Sequence, residues 1–342
     1  MKLIYGVKDR PKPGQLILFA LQQLLAILAA TITVPMVVGN GMSISAARAG
    51  TLVYQLFTKF RSPVFLGSSF AFIGSMTAAF AGGVSAALGY LGLIIGAVFA
   101  GLVYVVIAIV VKCVGVKWID KVMPAAVIGP TVALIGLSLA GSAIQNALGG
   151  ASVDAGTSSY VMSLNTGLCL ICALFTLAVT IVSSVYGKKM MKMIPFIIGI
   201  LSGYALAAIF TGFSYIPGAE EMRIIDFSIF KSMEWVPEFT FVRAFFDAEY
   251  TAEGGIGAYI GTIAVAYIPV AFVVFAEHIA DHKNISSIIE SDLLTDPGLS
   301  RTLLGDGVGS MVGAFFGGCP NTTYGESIGC VAISGNATVI TI

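Results

Sequence analysis

The sequence predicts an all-α polytopic membrane protein. The architecture expected is a transporter fold of two inverted seven-segment repeats, with two segments built as half strand and half helix, here truncated after about ten segments. Three observations carry this reading. Hydrophobic residues make up 57% of the chain and charged residues only 11%, whereas a soluble domain carries roughly twice that charge. Apolar runs long enough to cross a bilayer recur along the chain. Two of the runs are half-length, and each follows an extended, proline-containing stretch: Ser62-Pro63-Val64-Phe65-Leu66 and Cys319-Pro320-Asn321-Thr322-Thr323.

A spanning helix needs about 20 mostly apolar residues. The full-length segments are Gln15–Val38, Ile44–Phe57, Val84–Val111, Met123–Ala143, Tyr160–Tyr186, Met193–Thr211, Ile256–Ala280 and Thr302–Phe316. The half-length ones are Ser69–Ala81 and Glu326–Ile342. The 40 glycines fit helices that pack closely in lipid. The longest polar stretch, Gly212 to Gly255, is rich in aromatics and acids, and pieces such as Phe227–Trp235 are expected to lie at the interface. The first half-length segment is third from the start, and the second is third in a unit that begins at Ile256. An odd number of segments per unit inverts the second unit, and inverted repeats with broken helices meeting near the midplane mark secondary transporters. Residues 1–215 therefore form the first repeat, 216–255 an extracytoplasmic loop and 256–342 the start of the second repeat. Four more segments would complete that second unit, so the chain is expected to be truncated.

Basic residues fix the orientation. Of the 18 lysines and arginines, all but Arg48, Arg223, Lys231 and Arg243 fall on one set of alternate loops, which includes the N-terminus. The positive-inside rule then places the N-terminus in the cytoplasm. The start, Met1 to Pro13, is basic and polar and the first apolar run is a full span, so no cleavable signal peptide is expected. Near-zero net charge argues against a nucleic-acid partner. Cys169-Leu170-Ile171-Cys172 has C-x-x-C spacing but lies inside an apolar run, where packing thiols are the expectation. No nucleophile–base pair, phosphate loop or metal-ligand spacing is present, so neither an enzyme nor a metal or organic cofactor is expected.

Four acids stand apart from the loops: Glu277, Asp281, Asp306 and Glu326. An ionisable group inside a membrane costs several kcal/mol and normally faces a protein-lined cavity. Glu277 and Asp281 are four apart and share a helix face. Two such carboxylates cannot both carry charge cheaply in low dielectric, which is the raw material of a proton relay. The alternative for Asp281, His282 and Lys283 is the wetted cytoplasmic end of the helix. His278 points elsewhere and reads better as a helix contact. So does Asp306, within the small-residue run Gly305-Asp306-Gly307-Val308-Gly309-Ser310.

Glu326 begins a helix, near a positive dipole end with unpaired N–H groups. The amides of Gly325 and Glu326 are donors, and Ser68 or Ser69 is the expected N-cap of the other broken segment. Two such helix starts aimed at a common pocket, together with Glu277 and Glu326, offer both donors and acceptors. That suits a small planar solute with alternating C=O and N–H groups, with Phe70 and Tyr324 as flat faces above and below it. Ordinary packing is the equal alternative for the Phe70 ring, and its backbone amide is the stronger expectation.

Four stretches resemble the nucleobase–cation symporter family of uracil permeases and nucleobase–ascorbate transporters. They are Leu66-Gly67-Ser68-Ser69-Phe70-Ala71-Phe72-Ile73, Ala276-Glu277-His278, Asp292-Leu293-Leu294-Thr295-Asp296-Pro297-Gly298-Leu299 and Asn321-Thr322-Thr323-Tyr324-Gly325-Glu326, the last in the form of the uracil branch. The resemblance implies fourteen segments in two inverted sevens, split into core and gate domains and often dimeric. It implies that Glu277 and Glu326 bind the base through carboxylates and Phe70 and Gly325 through backbone amides, with Tyr324 and Ala30 beside it. The function implied is proton-coupled uracil symport across a bacterial plasma membrane, the proton being the coupling ion, with the bilayer and a second copy of the chain as the other partners expected. Rival expectations are a xanthine or other nucleobase symporter, an anion transporter of the related sulfate-type fold, and a truncated, non-transporting remnant or solute-binding protein. Gln22-Gln23 stands where many relatives have Gln-His, and Asp281 stands where the uracil permease pattern has a histidine, which redirects the relay through Asp281 or His282.

Overall fold

The computed structural model describes residues 3–38, 46–122, 124–138, 140–149, 151, 153–154, 159–188, 191, 195–231, 239–246 and 250–342. Its elements in chain order are α1 (Pro13–Val38), α2 (Ala46–Phe57), β1 (Leu66–Ser68), a 3-10 turn (Phe70–Phe72), α3 (Ile73–Ala79), α4 (Ala86–Val114), α5 (Ile119–Val122), α6 (Ala125–Ser138) and α7 (Ala140–Ala147). There follow β2 (Val153–Asp154), β3 (Ser159–Tyr160), α8 (Leu164–Tyr186), α9 (Pro195–Phe213), 3-10 turns at Glu220–Met222 and Phe227–Lys231, and α10 (Thr240–Phe246). The chain continues with α11 (Gly255–Ile289), a π-turn (Leu294–Gly298), α12 (Leu299–Phe315), β4 (Asn321–Thr323), α13 (Gly325–Ser334) and a 3-10 turn (Val339–Thr341). Among the described residues, three helices, Ala86–Val114, Leu164–Tyr186 and Gly255–Ile289, are long and apolar enough to cross a membrane.

The chain forms two compact units, Met1–Ile135 with Val236–Ile342, and Gly136–Trp235. These do not follow the sequence division at 215 and 255, because a unit of sequence repetition need not be a unit of packing. In the smaller unit, α8 packs on α9. Thr176 and Thr180 face Gly199 and Gly203 there, and both hydroxyls donate back to their own helix.

In the larger unit, α12 packs against α2 and α4, and α4 also carries α11. Small residues permit the approach: a Cβ at Gly307 of α12 would lie 2.9 Å from the Gly101 carbonyl oxygen of α4. Buried Tyr259, Ile263, Tyr267, Ala271, Val274, Phe275 and His278 recur along α11 at helical spacing, so one face of it is core. Phe72 stacks on Tyr267 at 5.5 Å, and Tyr104 meets Phe275 edge-on at 6.5 Å.

The two interrupted segments meet. β1 and β4 pair antiparallel, Leu66 opposite Thr323, Gly67 opposite Thr322 and Ser68 opposite Asn321. Two flanking bonds extend the ribbon: Ser69 N–H to Pro320 O at 2.9 Å and Tyr324 N–H to Phe65 O at 3.1 Å. Antiparallel pairing means that the two segments run in opposite directions.

Three boundaries depart from expectation. The stretch Ser69–Ala81 is not one half-helix but a 3-10 turn followed by the seven-residue α3. Helix α11 runs on to Ile289, so Asp281 and His282 lie inside it and are buried, which excludes the wetted-end reading for both. They are tolerated there because each has a polar partner, described below. Finally, the run from Glu326 does not continue as a helix to Ile342. It ends at Ser334, where Gly335 adopts a left-handed conformation (φ 67°) as cap, and the chain then turns back along the N-terminus. Tyr5 bridges Asn336, and Ile4 N–H donates to Gly335 O at 2.8 Å. The expected Met123–Ala143 segment is divided between α6 and α7, and most of the Phe227–Trp235 piece lies outside the described residues.

Candidate functional site

The site is built where the ribbon meets α11. Strand periodicity turns Asn321 and Thr323 to one side of β4 and Thr322 to the other. Thr323 donates its hydroxyl to Asp281 Oδ2 at 2.6 Å, both groups being buried. The other oxygen, Oδ1, faces the start of α13: a Cβ at Gly325 would sit 3.9 Å from it. Asn321 and Asp306 line one small cavity with Tyr104 and Ser310. Glu277, one turn before Asp281, is half-buried, and its Oε2 is buried without a hydrogen-bond partner among the described residues. Glu326 is exposed in the first turn of α13, where no side chain caps the free N–H groups. Glu277, Asp281, Asp306 and Glu326 are neighbours in this part of the unit.

A second polar network holds α11 in register with its neighbours. His282 Nδ1 lies 2.8 Å from the His278 carbonyl oxygen, which can only accept. In the neutral ring Nε2 is then an acceptor, and Tyr54 O–H donates to it at 2.7 Å. Ser62 in turn donates to the Tyr54 oxygen at 2.7 Å. His278 turns Nδ1 to Asp306 Oδ2 at 2.7 Å and Nε2 to Thr302 Oγ1 at 3.1 Å. The two imidazoles stack at 4.0 Å. Thus α2, α11 and α12 are tied by buried bonds, and both nitrogens of His282 are engaged, one by its own helix and one by Tyr54, whereas Asp281 is bonded to the ribbon.

The remaining residues singled out from sequence fall around the ribbon. The ring of Tyr324 lies over Gly67, where any Cβ would overlap it, and its O–H donates to Ser68 O at 2.8 Å. At 2% exposure it has no free face, so in this conformation it clamps the ribbon rather than presenting the flat surface expected of it. The half-buried Phe70 packs on the cluster of Ile27, Phe65 and Tyr324. Ser69 occupies the N-cap position of the 3-10 turn, but its hydroxyl makes no cap bond and is buried without a partner among the described residues, a correction to the capping role. Ala30 lies within α1, outside the residues whose side chains the structure describes. Two groups were given no role from sequence. Gln23 on α1 donates from Nε2 to Ser327 O at 3.4 Å, in the first turn of α13. Its signal was visible, a carboxamide inside an apolar span. Tyr54 gave none, because a tyrosine in an apolar run reads as packing.

The Permease family model matches residues 14–342. A uracil permease of Bacillus caldolyticus is 39% identical over 338 residues, covering 97% of this chain and 70% of that protein. One from Bacillus subtilis (strain 168) is 36% identical with the same coverage, and one from Escherichia coli (strain K12) is 33% identical over 335 residues, covering 96% of this chain and 68% of that one. The chain belongs to this permease family, the nucleobase–ascorbate transporters. As a permease it is a multi-pass membrane protein, in keeping with its long apolar helices. The permease match spans both compact units and includes the ribbon, α11 and α13.

Proposed function

We propose that this chain carries uracil across a bacterial plasma membrane in symport with protons, its N-terminus in the cytoplasm, without chemical change to the base. The observation that carries the reading is the junction of α11 with the ribbon. Glu277 offers a buried, unpartnered carboxylate oxygen there, beside a helix start whose amides are free. Uracil presents two ring N–H donors and two carbonyl acceptors on one plane. In this reading Glu277 and Glu326 accept from the N–H groups, and the amides of Phe70 and Gly325 donate to the carbonyls. The kinship with uracil permeases supports the choice of base. Asp281, adjoining both Gly325 and the ribbon, is the proton carrier, and His278 and Asp306 hold α11 in place. Binding of the base and of the proton at adjoining groups makes each favour the other, because the added proton removes charge repulsion among the clustered acids.

The test is uptake of radiolabelled uracil in a bacterial strain lacking its own permease, with and without an uncoupler. Uptake that collapses with the proton gradient is expected. Gradient-independent uptake would remove the coupling, and no uptake above the empty strain would remove transport by this chain. Competition by unlabelled bases separates uracil from a purine such as xanthine.

A further inference from the structure

We propose that Thr323 is a positioning residue for proton coupling: its hydroxyl holds the Asp281 carboxylate at the start of α13 and ties the charge of that group to the ribbon. The inference rests on the proton-symport reading above and names the contact through which the proton acts on the ribbon.

The geometry is specific. Among the described residues, Thr323 is the one side chain that hydrogen-bonds Asp281, at 2.6 Å, with 1% and 8% of the two residues exposed. A hydroxyl donating to an ionised carboxylate makes one of the short, strong charge-assisted bonds. When Asp281 takes a proton on Oδ2, its own O–H becomes the donor, the Thr323 oxygen accepts, and the threonine hydrogen must turn away. Only an O–H bond forms, with the proton drawn from one aqueous side and returned to the other. The bond survives both states but reverses direction and loses its charge assistance on protonation.

That change is felt at a joint. Thr323 pairs with Leu66 and is followed by Tyr324, whose hydroxyl grips the Ser68 carbonyl. It also precedes Gly325, where α13 begins. Loosening Thr323 therefore loosens the one element in which both interrupted segments take part. The other titratable groups around Asp281 are arranged differently. Glu277, His278 and His282 share its helix, and the histidines are held by Asp306, Thr302 and Tyr54. Glu326 on α13 and Asp306 on α12 are the neighbouring acids on other helices, and the Tyr324 hydroxyl is occupied by Ser68.

The experiment is uracil uptake between pH 5 and 8 in proteoliposomes, for the wild type, Thr323→Val and Thr323→Ser. Removing a donor that favours the ionised carboxylate moves the pH of half-maximal uptake upward in Thr323→Val, by about one unit. Thr323→Ser, which restores the hydroxyl, returns the profile to that of the wild type. A valine profile superimposed on the wild type would overturn the proposal, as would a serine variant that shifts like the valine one. Should Thr323→Val fail to insert, Thr323→Ala carries the same expectation and the same refutation. The wild-type arm stands apart: if its uptake is indifferent to pH, the proton-symport reading falls and this inference with it. A pH-dependent wild type with unshifted variants refutes the inference alone.

Discussion

Glu277 Oε2 is a carboxylate oxygen buried in the site with no hydrogen-bond partner among the described residues. Burying such an atom without a partner is costly, and a ligand N–H is the natural complement. Glu326 differs, being exposed beside the free amides of its own helix start. Hydrogen bonds to charged groups contribute about 1.5–3 kcal/mol each. Glu277→Gln and Glu326→Ala are therefore each expected to weaken uracil binding on the order of 10- to 150-fold. Equilibrium binding to purified variants checks this, and near-wild-type affinity in either one excludes that residue from the site. The acids themselves were legible in the sequence, because a carboxylate in an apolar span has few explanations. Their partners were not. That Asp281 meets Thr323 and His278 meets Asp306 depends on strand alternation and on the packing of α11 against α12, which spacing along one segment does not encode.

At the scale of elements, the ribbon depends on a glycine. Gly67 lies beneath the Tyr324 ring, and a side chain there must displace the ring and the bond it makes to Ser68. Overpacking of this kind costs about 1–3 kcal/mol. Gly74, on α3, has open space around its would-be Cβ. Gly67→Val is expected to lower the midpoint of thermal unfolding, and Gly74→Ala to leave it unchanged or raise it slightly, since alanine costs the helix less entropy. Equal loss in both would mean that Tyr324 does not clamp the ribbon. Proline and glycine announced both breaks, which is why the interrupted segments were legible. The ends of α11 and α13 were not. The polar run after Ala280 reads as a loop, yet it stays helical because Tyr54, Thr323 and backbone carbonyls absorb its polar groups. The apolar run after Ser334 reads as helix, yet Gly335 ends it and the backbone of residues 4–7 offers alternative partners.

Across the larger unit, contacts sort the connections onto two sides. Arg61 pairs with Asp296 at 2.6 Å, joining the approach to β1 with the turn after α11, and Tyr5 meets Asn336. At the opposite ends of these helices, Ser85 N–H donates to Thr251 O at 3.1 Å, and Phe241 stacks on Phe315 at 5.1 Å. In the orientation expected from the loop charges, the first group lies on one face of the membrane. Between the two levels sit the ribbon and the acids of α11, α12 and α13. The most direct measurement of the central claim is thermal unfolding of the purified protein with a panel of nucleobases. Uracil at about 100 times its Kd should stabilise the wild type by roughly 2.7 kcal/mol, and the same concentration should stabilise Glu277→Gln far less. A wild type that uracil leaves unmoved, or a Glu277→Gln variant that it stabilises equally, would contradict a nucleobase held at the junction of α11 and the ribbon.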